Sequence, residues 1–311
     1  MKVTVVGAGN VGASCAQRIA EAGLADVVLV DILADMAKGK ALDLMQAGPI
    51  VGHSRAIIGT GDYADCAGSA IAVVTAGVAR KPGMSREDLL ATNARIVTDV
   101  ITNLMKAAPD CILIMVSNPL DVTTWLAYKL SKLPKQRVMG MAGVLDSTRF
   151  RAFIAMELGC SPEDVEAMVL GGHGDSMVPL PRHATVSGMP ATSLLPKTKL
   201  DKIVERTRVA GGEIVKLLGT GSAYYAPAAA VTQMVKAILH DEKRVLPASV
   251  LLEGEYGLRD VFLGVPVKLG ARGVEGIVKI PLDADERKAL RASAKYVQQT
   301  IEEYDRLAAS G

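Results

Sequence analysis

The chain has 311 residues, of which 50% are hydrophobic and only 4% aromatic, with 35 basic and 33 acidic residues for a formal net charge of +2. That length allows two closely associated domains whose core is built mainly from Ala, Val, Leu, Ile and Met. With no Lys/Arg block and no basic stretch interleaved with aromatics, the charge pattern excludes a nucleic-acid footprint, and every apolar run is broken by Gly, Pro or Lys before it could span a membrane.

The chain opens on Lys2 to Asp31, which reads as strand, glycine turn, helix, strand. Val3, Val5 and Val6 stop at Gly7-Ala8-Gly9-Asn10-Val11-Gly12. Ala16, Ile19, Ala20 and Leu24 then recur at helical spacing, and Val27 to Val30 run apolar up to Asp31. This is the arrangement that binds a dinucleotide: glycines at 7, 9 and 12 for the tight turn, the approach of a pyrophosphate and close helix packing, with the phosphates facing the helix N-terminus. Asp31 is placed to bond the adenosine ribose hydroxyls and to repel a 2′-phosphate, which favours NAD over NADP.

An amphipathic helix is expected over Ala34 to Gln46, a strand and exit turn over Ile57 to Tyr63, and a buried parallel strand over Ser69 to Gly77. Then comes Val78 to Arg86, a loop with a Pro82-Gly83 pair and three cations, Arg80, Lys81 and Arg86. On charge alone it is a solvated loop, but it leaves the carboxyl end of a parallel strand, where open α/β sheets bind ligands. A long helix over Ser85 to Met105 carries Asn93 close to its apolar face, readable as a satisfied core amide or as a group reaching the cofactor. Cys111 to Val116 is a further buried strand, and Pro119 forces the chain out of it at Ser117-Asn118, leaving the Asn118 amide pointing across the strand ends.

A helix over Thr123 to Leu133 and a strand over Val138 to Met141 precede Gly143 to Phe150, which opens a helix placing Asp146 and Arg149 on one face. The strand-helix rhythm then ends, so the expected division is a Rossmann-type domain over 1–143, a parallel sheet with helices on both faces, and an α+β substrate domain with antiparallel strands over 144–311. The second domain carries Gly171-Gly172-His173-Gly174, helices over Lys199 to Leu218 and Ala223 to Leu239, an antiparallel meander over Val245 to Glu255 and Val261 to Ile280, and a last helix over Asp283 to Leu307. His173 alone of the four histidines sits among glycines. By itself that reads equally as an accessible proton acceptor or as a core histidine. The four cysteines are far apart, with no CxxC and no metal-ligand spacing, consistent with reduced thiols and no metal site. Lys2 and the apolar residues after it are interrupted by glycines and needed as a strand, so no signal peptide is read there and a cytoplasmic location is expected.

The ordered set VVGAGNVG, VTAGVARKPGMSR, VSNPLD, GVLDSTRF and GGHGDSMVPL resembles the lactate and malate dehydrogenase family, and within it the NAD-dependent malate dehydrogenases of lactate dehydrogenase type. The resemblance implies that His173 takes the hydroxyl proton of a 2-hydroxy acid as hydride leaves C2, with Asp146 holding the other ring nitrogen. Arg149 would clamp the C1 carboxylate, Arg86 would polarise the reacting carbonyl, and Asn118 would bond the substrate oxygen. The cofactor would be held by Gly7, Ala8, Gly9, Asn10, Val11, Gly12, Asp31, Asn93, Val116, Ser117 and Asn118, under a mobile lid at Pro82-Gly83. Arg80 stands where pyruvate-reducing members carry an uncharged residue, so it would await the second carboxylate of malate or oxaloacetate. A closed site holding pyruvate would leave that guanidinium unpaired at a cost of about 3–5 kcal/mol if fully buried. Ala223 matches a small pocket position. A homodimer or homotetramer is implied, and lactate dehydrogenase activity or a non-catalytic NAD-binding role are the competing functions.

Overall fold

The structure, a computed structural model, describes residues 1–78 and 86–310. Its first half alternates strand and helix: β1 Lys2–Val6, α1 Asn10–Glu21, β2 Asp26–Val30, α2 Ala34–Val51, β3 Ile57–Thr60, β4 Ile71–Val74, α3 Arg86–Ala107, β5 Ile112–Met115, α4 Leu120–Ser131, β6 Val138–Gly140 and α5 Gly143–Leu158. These six strands pair in parallel in the order β3-β2-β1-β4-β5-β6. The order reverses between β1 and β4, which opens a crevice beyond their carboxyl ends.

The near-continuous apolar strands follow from burial on both faces. Along β1, Val3 and Val5 join the core formed with Ile19 of α1, whereas Val6 joins the opposite core with Val97, Ile101 and Leu104 of α3. Successive side chains of a strand point to opposite faces, so a sheet covered twice needs apolar residues at every position. Two helices differ from the sequence reading beside a proline. α2 runs on to Val51 with Pro49 inside its last turns and ends at Gly52, whose φ of +84° suits glycine. α4 starts three residues early, at Leu120, because the extended Pro119 caps it.

The second half begins with short strands, β7 Val165–Glu166, β8 Val169–Leu170, β9 Val178–Pro179, β10 Thr185–Val186 and β11 Met189–Pro190, gathered into two small sheets. Then follow α6 Ala191–Leu194, α7 Lys197–Leu218, α8 Tyr225–Leu239, β12 Arg244–Glu253, β13 Arg259–Gly270, β14 Gly273–Ile277 and α9 Ala284–Ser310. The expected meander is present as β12 to β14, but it does not stand apart. Ser249 of β12 pairs with Gly140 of β6, so the antiparallel strands extend the parallel sheet to nine strands. A third core, around Phe150 and Ile154 of α5 and Leu200 and Ile203 of α7, packs the second half on itself. Among the described residues no helix is long and apolar enough to cross a membrane.

The tightest packing point is the crossing of α1 over the end of β1. A Cβ on Gly12 would come within 1.8 Å of the Gly7 carbonyl oxygen, a backbone atom that cannot swing away. Gly12→Ala is therefore expected to lower unfolding free energy by about 3 kcal/mol, as overpacking does. The check is the shift in urea midpoint at unchanged m-value.

Candidate active site

The glycine turn is held open from below. Gly7 has φ of +101°, and the Thr75 hydroxyl at the exit of β4 donates to the carbonyls of Val6 at 3.0 Å and Gly7 at 3.1 Å. Asp31 braces the turn from the end of β2: one carboxylate oxygen accepts the Ala8 N–H at 2.6 Å and the other the Leu33 N–H at 2.9 Å. Lys40 Nζ reaches across from α2 to the Ala8 carbonyl at 2.6 Å.

Above the turn there is room. A Cβ on Gly9 would meet nothing within 4 Å. The first turn of α1, containing Asn10, Val11 and Gly12, has no acidic residue and no capping side chain. An uncapped helix N-terminus over open space, with a carboxylate beside it at ribose distance along the chain, fits the pyrophosphate and ribose of NAD. The residues present therefore suit that cofactor.

The next strand ends supply the other wall. Ser117 Oγ donates to the Ala76 carbonyl at 2.5 Å and its own carbonyl accepts from the Thr123 hydroxyl at 2.7 Å, fixing the chain between half-buried Val116 and exposed Asn118, which joins Pro119 through a cis peptide bond. Asn93 bonds backbone at the strand exits. It is 1% exposed, accepts the Val78 N–H at 2.8 Å, and donates to the carbonyls of Val78 at 3.1 Å and Asn118 at 2.8 Å. Both of its N–H bonds are thus used on backbone, so Asn93 staples the exit of β4 to the exit of β5 from behind the crevice. Arg80, the Pro82-Gly83 loop and the side chain of Arg86 lie outside the described residues. Ala223 lies in the segment just before α8.

Asp146, Arg149 and His173 come together. Asp146 is 1% exposed, and its two oxygens are divided between two partners. Oδ2 meets His173 Nδ1 at 2.9 Å, and Oδ1 accepts from Arg149 Nη1 at 3.3 Å. The shared face of one helical turn places Asp146 and Arg149 together, while the glycine loop between β8 and β9 brings His173 in from 27 residues away. Burial disfavours a charged imidazole, but the charge and hydrogen bond of Asp146 outweigh it, so the His173 pKa lies above its ordinary value; Arg149 opposes this rise and Asp121 adds to it. With Nδ1 committed to the carboxylate, the neutral ring keeps Nε2 as a free acceptor. The imidazole stays 18% exposed. Arg149 Nε–H is buried without a hydrogen-bond partner, which leaves the guanidinium with a donor still to be met by an acceptor.

Asp121, in the first turn of α4, was not singled out by sequence reasoning. It is fully inside, accepts the His173 backbone N–H on Oδ2 at 2.8 Å and the Ser249 hydroxyl on Oδ1 at 2.7 Å, and burial pushes its pKa up to about 6. The only available signal was an acid in the VSNPLD motif, which reads as a helix N-terminal charge. Among the described residues no cluster of His, Cys, Asp or Glu is arranged to hold a metal ion.

Residues 1–140 match the NAD-binding domain of the lactate/malate dehydrogenases and residues 143–307 their alpha/beta C-terminal domain. The malate dehydrogenase of Nostoc punctiforme is 56% identical over 97% of this chain and 92% of its own length. The malate dehydrogenase of Salinibacter ruber superimposes with a TM-score of 0.96 at 51% identity over the whole of both chains. The lactate dehydrogenase of Cryptosporidium parvum, solved with lactic acid and nicotinamide adenine dinucleotide, superimposes with a TM-score of 0.95 at 41% identity over 98% of both.

Because a methyl group at position 9 enters open space and not protein, Gly9→Ala is expected to change stability by no more than about 1 kcal/mol. It should nonetheless weaken NADH binding at least tenfold, read by fluorescence titration.

Proposed function

The chain belongs to the lactate/malate dehydrogenase family, and on that premise we propose that it interconverts (S)-malate and oxaloacetate with NAD, using His173 as proton acceptor and donor. The observation that carries the reading is the buried carboxylate of Asp146 bonded to both His173 and Arg149. It puts a proton acceptor of fixed tautomer next to a guanidinium whose buried Nε–H has no partner.

When bound, NAD supplies the acceptor for the C2 hydride. The chain's own residues do the rest. His173 Nε2 takes the malate hydroxyl proton, and Asp146 stabilises the imidazolium that results. Arg149 holds the C1 carboxylate through a two-pronged pair that lysine could not reproduce. Asn118 bonds the substrate oxygen, Arg86 polarises the carbonyl in the reducing direction, and Arg80 receives the second carboxylate. The cofactor rests on residues 7–12 and Asp31, with Val116, Ser117 and Asn118 beside the nicotinamide and Asn93 holding their loop. In this reading residues 1–143 form the cofactor half and 144–311 the substrate half. The protein works in the cytoplasm as a homodimer or homotetramer, in keeping with four free cysteines and with apolar side chains such as Ile50 and Leu217 exposed on α2 and α7.

The likeness to a lactate dehydrogenase makes pyruvate reduction the second reading. NADH consumption separates the two: oxaloacetate should be preferred over pyruvate by about 10²–10³ in kcat/KM. Arg80→Gln should narrow that ratio, and a variant that kept the full preference would remove Arg80 from the account. If neither substrate oxidises NADH, the proposed reaction is wrong.

The raised pKa of His173 gives a pH dependence with a definite sign. Malate oxidation needs the neutral ring and should rise with pH along a limb lying above the free imidazole value of about 6.5, while oxaloacetate reduction, which needs the cation, falls along it. Asp146→Asn should move that limb to lower pH and reduce kcat by about 10²–10⁴. Initial rates in both directions between about pH 5 and about pH 9 provide the check.

A further inference from the structure

The loop that carries His173 is anchored more heavily than a surface turn requires. Gly171 exchanges both backbone hydrogen bonds with Gly264 of β13, N–H to carbonyl at 2.9 and 3.1 Å. The Gly172 N–H donates to the hydroxyl of Ser293 on α9 at 2.8 Å. The His173 N–H donates to Asp121 at 2.8 Å, and Asp121 is itself fixed by Ser249 of β12. A Cβ on Gly172 would lie 3.2 Å from Asp121 Oδ2 and 2.9 Å from Val297, so the loop and the carboxylate are packed against each other.

Three of these anchors are neutral, and the fourth is an acid. Asparagine in its place could accept the same N–H through its oxygen and donate its amide to Ser249. Hydrogen bonding alone therefore does not call for a charge, and a buried carboxylate costs stability that an amide would not. We propose that Asp121 is a positioning residue for the proton acceptor, its carboxylate holding the His173 backbone against α4 and supplying a second negative charge beneath the ring when the imidazolium forms. This rests on His173 being the acceptor.

The charges bearing on the ring among the described residues are Asp146 and Arg149 from α5 and Asp121 from α4. Asp175 stands on the ring's own loop, whereas β12, β13 and α9 present Ser249, Gly264 and Ser293, which do not titrate. Asp121 also sits three residues beyond Asn118, so the turn from the end of β5 into the start of α4 sets the places of both the substrate amide and the acceptor loop. Its own ionisation near 6 leaves it charged over the range in which malate oxidation runs.

The test is Asp121→Asn with Ser249→Ala and His173→Asn, on the full-length enzyme. The readouts are the His173 ring titration by NMR, the pH profile of malate oxidation, the NADH dissociation constant and the thermal midpoint at about pH 8, a pH above the ordinary carboxylate and imidazole ranges. Asp121→Asn is expected to lower the ring pKa by about half a unit or more and kcat about tenfold. NADH affinity should stay within about twofold, and the midpoint should not fall, since burial no longer opposes a charge. Ser249→Ala removes a donor to the carboxylate, favours its protonated form and should shift the ring in the same direction by less. An Asp121→Asn variant with unchanged ring titration and kcat overturns the proposal. So does one whose activity falls only in step with lost NADH affinity and stability, or, should it not fold, a Ser249→Ala enzyme with an unmoved ring. Activity surviving in His173→Asn would instead overturn the acceptor assignment itself, an outcome the other variants do not mimic.

Discussion

Asp146 is a carboxylate with almost no access to water, and a buried charge survives only if it is paired and hydrogen-bonded. Here each oxygen takes a different partner, His173 on one side and Arg149 on the other. The same contact that makes the carboxylate tolerable inside the protein aims an imidazole and a guanidinium at adjacent points. Structure and chemistry are thus served by one set of hydrogen bonds, and neither partner can be altered without disturbing the other. The guanidinium is shared, and its buried Nε–H still lacks an acceptor.

The sheet explains why these groups converge. The parallel strands end on a common edge, and the residues just beyond them, the glycine turn, Asp31, Gly77 and the Ser117-Asn118 segment, form its rim. Side chains behind the rim, Thr75, Asn93 and Ser117, bond backbone atoms of neighbouring exits and hold them at fixed spacing. The helix after the last parallel strand then delivers Asp146 and Arg149 to the same edge, and the loop between β8 and β9 closes over it with His173.

Much of this was legible in the residues because it depends on local pattern. Apolar periodicity marks the strands, the three glycines mark the turn, and a spacing of three puts Asp146 beside Arg149. What the sequence left open depends on contacts between distant segments. Asn93 on a helix face gives no sign of whether its amide serves a ligand or two loops. Asp121 looks like a favourable charge at a helix start, and its partners His173 and Ser249 lie 52 and 128 residues further along. The antiparallel strands were recognisable as a meander, but their union with the parallel sheet rests on the single pairing of Ser249 with Gly140, for which no local pattern exists. The helices α2 and α4 extend past their apolar periodicity, α2 through Pro49 to Val51 and α4 back to Leu120 just after Pro119, because a proline can be accommodated near a helix end and can cap its start.

That single pairing bears on how the gene can be recombined. A chimera built by exchanging everything after the last parallel strand with a relative would cut the chain between β6 and α5, yet it would also replace the strand that lies against β6 in the sheet. The foreign β12 would have to present a small residue at the position of Ser249, facing Gly140 and within reach of Asp121, or the hybrid would carry a fault along its central seam. Crossover points that keep β6, α4 and β12 from one parent respect this seam, whereas the point that looks natural from the linear order of the segments does not.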